Sequence, residues 1–194
     1  MSIFEAAVEV ASVLEQEQIP YAVLGGVALQ HWGEPRTTQD VDIVVLVPSD
    51  EEEPFLKRVL SRFQPRIPDA LSFAKRHRVL LIATAGAIPI DLSLGIPGYE
   101  EEVMRRASRI SFAGLPPIRV VSPEDLIVHK CVAGRARDIE DIQRVLIRQQ
   151  TDESRSAQEK FYQSFRPLRR PPEPEGAGSF LAFPPRPRRS GARS

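Results

Sequence analysis

The chain has 194 residues, of which 42% are hydrophobic, and it carries 26 Lys/Arg against 26 Asp/Glu. That length supports one core-bearing domain, with or without a tail, and a formal net charge of zero singles out no polyanionic or polycationic partner. The single cysteine, Cys131, excludes an intrachain disulfide and fits a reducing compartment.

The charge is unevenly spread. Residues 151–194 hold nine Lys/Arg and five Asp/Glu, so an acidic body precedes a basic tail. No apolar run approaches the roughly 20 residues that span a bilayer, and the opening MSIFEAAVEVAS has no basic n-region. The expectation is a soluble, cytoplasmic protein with no membrane partner.

In chain order, Ser2 and Glu5 have capping-box spacing ahead of Phe4, Ala7, Val8, Ala11 and Leu14, which predicts a helix over 2–17. Pro20 closes it, and Tyr21–Leu24 reads as a short strand. Gly25-Gly26 breaks the pattern before a short helix, Val27–Trp32, ended by Gly33. Residues 34–39 are polar, contain Pro35 and read as a loop. Residues 40–47 form the strongest strand candidate, with five Val or Ile in eight positions.

Residues 50–63 open with four acids and continue with Phe55, Leu56, Val59, Leu60 and Phe63, a helix with its dipole complemented. Residues 64–76, with Pro65 and Pro68, give no clear assignment. Residues 79–84 and 88–94 read as the strands of a hairpin around Ala85-Gly86. A helix over 99–107 follows, then short strands at 109–112 and 118–121. Ser122-Pro123 starts a helix over 123–133, and a last helix over 138–149 should turn Ile139, Ile142, Val145 and Leu146 inward. From Arg166 prolines alternate with arginines and periodicity ends, so residues 166–194 read as disordered. The organisation expected is a domain over 1–150, an uncertain helical extension over 151–165, and that tail.

The chemistry concentrates in Tyr21–Val47. Residues two apart in a strand share a face, so Asp40 and Asp42 would project side by side from an apolar β-branched run. Like charges in such a place resist desolvation and call for a cation. Oxygen ligands of this kind suit Mg²⁺ or Mn²⁺ with substrate phosphates completing the shell. Asp91, between Ile90 and Leu92, is the natural third carboxylate if its strand pairs beside 40–47. Three carboxylates can hold two ions, which clamp both oxygens of an in-line phosphoryl displacement. Gly25-Gly26 at a strand-to-helix junction lets backbone approach a phosphate closely.

An apolar strand, Gly-Gly, a thirteen-residue spacer, Asp-apolar-Asp-apolar and a later strand Asp together resemble the nucleotidyltransferase superfamily of the polymerase-β type. The wording GGVALQHWGEPRTTQDVDI, with SPEDLIVHKCVAGRARDIEDIQRVL downstream, is similar to bacterial minimal nucleotidyltransferases, including the AbiEii-like toxins of type IV toxin–antitoxin systems. The resemblance covers about residues 20–150. It implies an α/β (α+β) fold with a small mixed sheet, flanking helices and a short C-terminal helical region. It makes Gly25 and Gly26 the triphosphate loop, Asp40, Asp42 and Asp91 the catalytic metal ligands, and Asp91 also a base. It gives Lys130 a phosphate contact, Asp138 a supporting role, and Thr38 and Arg36 positions near the pocket. Members of the group more often carry a larger helical C-terminal half.

The expected function is therefore metal-dependent transfer of NMP from an NTP to an acceptor hydroxyl on RNA or tRNA, protein or a small molecule, with an antitoxin as a further partner. The competing reading is a catalytically silent module that binds a nucleotide or a protein. Plainer roles are weighed alongside. Asp138 would serve as an N-cap, and Lys130, Arg135 and Arg137 as helix-end cations. His31, His77 and His129 read as structural or surface groups, Cys131 as a small buried group, Trp32 as a packing residue, and the tail arginines as solvated charges.

Overall fold

The computed structural model describes residues 1–149, so the expectations for 151–165 and 166–194 lie outside the described residues. Helix α1 (Ile3–Gln16) is capped by Ser2, whose Oγ accepts from the Glu5 amide at 3.1 Å while Glu5 accepts from the Ser2 amide at 2.6 Å. Strand β1 (Tyr21–Leu24) follows, then α2 (Gly25–Trp32), β2 (Val41–Val45) and α3 (Glu52–Arg62). The unassigned stretch after α3 holds a two-residue edge strand, β3 (Gln64–Pro65), and a helix, α4 (Ala70–His77). Its prolines obscured both: Pro65 sits on the sheet edge, where a missing amide costs little. The hairpin is β4 (Val79–Ala83) with β5 (Pro89–Leu94), paired antiparallel. Helix α5 (Tyr99–Arg106), strands β6 (Ser108–Ile110) and β7 (Ile118–Val120), and helices α6 (Pro123–Ala133) and α7 (Ala136–Arg148) complete the order.

The seven strands form one mixed sheet in the order β3-β4-β5-β2-β1-β7-β6. The central strands β1 and β2 are almost wholly apolar because helices cover them: α1 packs on β1, β2 and β7, and α2 on β1 and β2. Helices α6 and α7 pack on each other and on α2. This is the mixed α/β sheet with flanking helices and a short helical end that the sequence implied. Strand β2 runs antiparallel to β1 and parallel to β5, which places Asp42 directly beside Asp91. No helix among the described residues is long and apolar enough to cross a membrane.

Two packing expectations are corrected. Ile139 is 59% exposed. Ile142, Val145 and Leu146 do pack against the core, but Asp138 and Asp141 share the inward face of α7, because cations from α6 and from the 34–39 loop meet those carboxylates, and Ile139 points away. Cys131 is exposed rather than buried. It sits about 100° around α6 from the buried Lys130, on the solvent side. Trp32 keeps its packing role, and its indole Nε1 donates to the Val121 carbonyl at 2.7 Å.

Candidate functional site

The site begins at the end of β1. Gly25 opens α2 with φ +62, a left-handed value that glycine adopts without strain. A Cβ there would stand 1.8 Å from Asp42 Oδ2, and one on Gly26 would stand 2.2 Å from Thr38 Oγ1. The glycine pair is thus required by the side chains that crowd against it. The glycines form the first turn of α2 rather than preceding it, and no side chain caps that turn. Its leading amides are therefore left for solvent or a ligand.

Asp40 lies one residue before β2, and Asp42 is its second residue. Asp42 is register-paired with Asp91 on β5. One carboxylate oxygen from each of Asp40, Asp42 and Asp91 lies within 4.8 Å of the others, so the three could hold a metal ion together. Burial, and then the charges of Asp40 and Asp91, push the Asp42 carboxyl up to about 6. A carboxylate that resists ionisation because it is buried, and then because two others face it, is the electrostatic signature of a site suited to a cation. All the donors are hard oxygens, which matches Mg²⁺ or Mn²⁺. Thr38 Oγ1 donates to Asp40 Oδ1 at 3.2 Å and orients it.

Beside this triad opens a cleft of about 400 Å³. Gly25, Gly26, Thr38, Asp40 and Asp42 line it, and Arg36, Lys130, Arg135 and Arg137 bring four cations to it. The cations come from different parts of the chain. Lys130 lies in the last turn of α6, Arg135 and Arg137 lie at the start of α7, and Arg36 comes from the loop before β2.

Lys130 is buried and engaged: its Nζ donates to Asp141 at 2.6 Å and to Asp138 at 3.3 Å. Arg36 binds both oxygens of Asp141, at 2.9 and 2.8 Å. Burial alone would raise the carboxyls of Asp138 and Asp141. Hydrogen bonds from Arg135 and Lys130 to the first, and from Arg36 and Lys130 to the second, overcome that and hold both below the ordinary range. Asp138 is not the N-cap of α7. It is the third helical residue, and its Oδ2 accepts from the Arg135 amide at 3.1 Å.

Sequence reasoning missed two participants. Asp141, which lies within the downstream wording but received no role from it, joins Arg36 to Lys130. Arg66, just beyond β3, pairs through Nη1 with Asp91 Oδ1. No local pattern announced that contact, because it spans an intervening strand. His31, His77 and His129 stay outside the cleft lining. Burial pushes the His129 imidazole below its usual value, and its Nε2 is buried without a partner among the described residues.

A family model described as "Nucleotidyl transferase AbiEii toxin, Type IV TA system" matches residues 12–185. Among curated proteins no match is found. Solved structures with similar chains include an antigenic nucleotidyltransferase-like protein from Paracoccidioides brasiliensis. It is 19% identical, with 83% of this chain and 87% of that one covered and a TM-score of 0.49. A lincomycin-bound lincosamide antibiotic adenylyltransferase is 10% identical, with 73% and 94% covered and a TM-score of 0.48.

Proposed function

The chain belongs to the AbiEii nucleotidyltransferase toxin family, and from that premise we propose that it moves a nucleoside monophosphate from an NTP to an acceptor hydroxyl with Mg²⁺ or Mn²⁺ at Asp40, Asp42 and Asp91. The observation that carries this reading is the convergence of three carboxylates within 4.8 Å beside a cleft to which four cations come. Divalent ions bound to those oxygens would lower the pKa of the attacking hydroxyl and neutralise charge on the departing pyrophosphate.

The chain's own residues do the rest. The uncapped amides at Gly25 and Gly26 take phosphate oxygens at the positive end of α2. Arg135 and Arg137 balance the remaining triphosphate charge, and Thr38 keeps Asp40 turned toward the other two carboxylates. Asp91 takes the proton of the acceptor hydroxyl. The hydroxyl oxygen forms a bond to the α-phosphorus, the bond from that phosphorus to the β-bridging oxygen breaks, and pyrophosphate leaves with the electron pair. Rate enhancement comes from alignment and from charges fixed in advance. As a type IV toxin the protein would also meet an antitoxin.

The test is transfer of label from each of four α-³²P NTPs in Mg²⁺ to RNA, protein or small hydroxylated acceptors, with Asp42→Asn beside wild type. The expected result is label on one acceptor class with wild type, lost by about a thousandfold or more in the variant, a loss of about 4 kcal/mol in transition-state stabilisation. Absence of Mg²⁺-dependent NTP binding by folded wild type would sink the reading. A second reading, a silent nucleotide-binding module, is favoured by the ion pairs that already engage Asp91 and Lys130. It predicts NTP binding without transfer.

A further inference from the structure

Five backbone positions line up across the sheet. Leu24, next to Gly25, is register-paired with Asp42, Asp42 with Asp91, and Asp91 with Leu81. The Arg66 amide then donates to the Leu81 carbonyl at 3.0 Å. Neighbouring strands are about 4.8 Å apart, so the Arg66 backbone stands about 10 Å beyond Asp91, and its side chain reaches back over β4 to the carboxylate. The row therefore has two ends. Gly25 and the cation-bearing cleft lie at one end, and neither Asp91 nor Arg66 lines that cleft. Arg66 lies at the other.

In-line displacement uses both ends. With the triphosphate at the Gly25 end, the attacking hydroxyl arrives on the Asp91 side. Arg66 is the cation waiting there. Its guanidinium has five N–H donors, and among the described residues its side chain makes one hydrogen bond, to Asp91. Both side chains of the pair are one-third exposed, 33% each, so the remaining donors face solvent. Pro65 and Pro68 flank it and restrict the backbone that carries it.

The charge balance says what Arg66 lacks. Without a metal, Arg66 offsets one of three carboxylates. Once divalent ions sit on those carboxylates, the guanidinium beside them needs an anion. A phosphate ester matches its fork, with two parallel hydrogen bonds, whereas a polyamine acceptor would be repelled. We propose that Arg66 is a specificity-determining residue that binds a phosphate group of the acceptor next to the attacking hydroxyl, so that the acceptor is phosphate-bearing rather than neutral or polycationic. This inference rests on the nucleotidyl-transfer reading above.

The experiment uses the full chain in Mg²⁺, with wild type, Arg66→Gln and Arg66→Lys. Acceptors are an RNA oligonucleotide with a free 3′ hydroxyl, a nucleoside 5′-monophosphate, glycerol and an aminoglycoside. Fluorescence anisotropy of the same oligonucleotide gives a binding readout independent of turnover. Arg66→Gln should lose roughly 10- to 100-fold more in kcat/KM on the phosphate-bearing acceptors than on glycerol, the loss on glycerol reading what Asp91 alone suffers without its ion pair. Its RNA binding should weaken and lose about one unit of salt slope, and Arg66→Lys should keep part of both. The RNA and mononucleotide arms tell a polynucleotide phosphate from a free one. Equal loss on every acceptor would mean that Arg66 only steadies Asp91 and would overturn the proposal. So would no loss, or wild type preferring the aminoglycoside. If wild type binds no NTP before any acceptor is added, the parent reading fails, a pattern distinct from these, and this one falls with it.

Discussion

Asp40, Asp42 and Asp91 meet with one cation, Arg66, in ion-pair contact among the described residues, whereas Asp138 and Asp141 are met by Arg36, Lys130 and Arg135. The first cluster has more anions than cations and the second more cations than anions. Asp40 and Asp42 of the first and Arg36, Lys130 and Arg135 of the second line one cleft. A protein that needed only stability would let neighbouring clusters neutralise each other. Here the deficit and the surplus stay side by side, one suited to a cation and the other to a polyphosphate. The group at Asp125 shows what a satisfied cluster looks like: it accepts from Arg106 at 2.9 and 2.7 Å, from Tyr99 at 3.0 Å and from Ser122 at 2.9 Å, away from the cleft lining.

The sharpest way to break this contrast on the cation-rich side is Asp141→Ala. The substitution strips Arg36 of both its carboxylate contacts and leaves Lys130, 5% exposed, with only the 3.3 Å contact to Asp138. Removing one partner from a buried charge group costs about 3–5 kcal/mol, mostly through the charge left uncompensated. Urea unfolding should show that loss in midpoint without a change in slope. A loss under 1 kcal/mol would mean that water reaches Lys130 and that the cluster is not dry.

On the carboxylate side the sign reverses. The folded-state pKa of Asp42 is raised to about 6 from an ordinary 3.8. The metal-free protein therefore holds this proton more tightly folded than unfolded, and stability from it is present below pH 4 and lost as pH rises to about 6. About two units at about 1.4 kcal/mol each make a penalty on the order of 3 kcal/mol at neutral pH. Asp42→Asn in chelator should consequently be more stable than wild type at pH 7.5, and the gain should vanish near pH 4. Mg²⁺ should stabilise wild type and not the variant, and its affinity should fall below pH 6 as Asp42 takes up its proton. A variant less stable than wild type at every pH would show that Asp42 is already well compensated without metal.

The difference between the two clusters also explains what could be read in advance. The deficit was legible because it interrupts a pattern: two aspartates in a β-branched run, and a third in another apolar strand, violate strand composition locally. The pairing of β2 with β5 entered only as a condition, and the structure meets it with parallel strands. The roles of Asp141 and Arg66 were illegible for a different reason. Each satisfies its charge through a partner far along the chain, 105 residues from Arg36 to Asp141 and 25 from Arg66 to Asp91, and neither breaks a local rule. The glycines show both sides of this. Their place at a strand end was readable, but the 1.8 Å and 2.2 Å approaches of Asp42 and Thr38 that exclude any Cβ belong to tertiary structure.

Ile139→Ala gives the smallest effect and bears on how α7 is read. Helical periodicity assigns Ile139 to the core with Ile142, Val145 and Leu146, and truncating a buried isoleucine costs about 2–5 kcal/mol. The structure keeps Ile142, Val145 and Leu146 against the core, turns Asp138 and Asp141 inward as well, and leaves Ile139 59% exposed. A surface substitution of that kind changes stability by less than about 0.5 kcal/mol, and alanine's higher helix propensity offsets part of any loss. Ile139→Ala should therefore leave the unfolding midpoint almost where it was, while Asp141→Ala, two positions on, lowers it sharply. That inversion of the usual ranking, with the carboxylate structural and the isoleucine dispensable, would follow only if the charge cluster anchors α7. A large loss at Ile139 would instead add it to the apolar seam of Ile142, Val145 and Leu146 and remove the reason for calling the cation surplus built in.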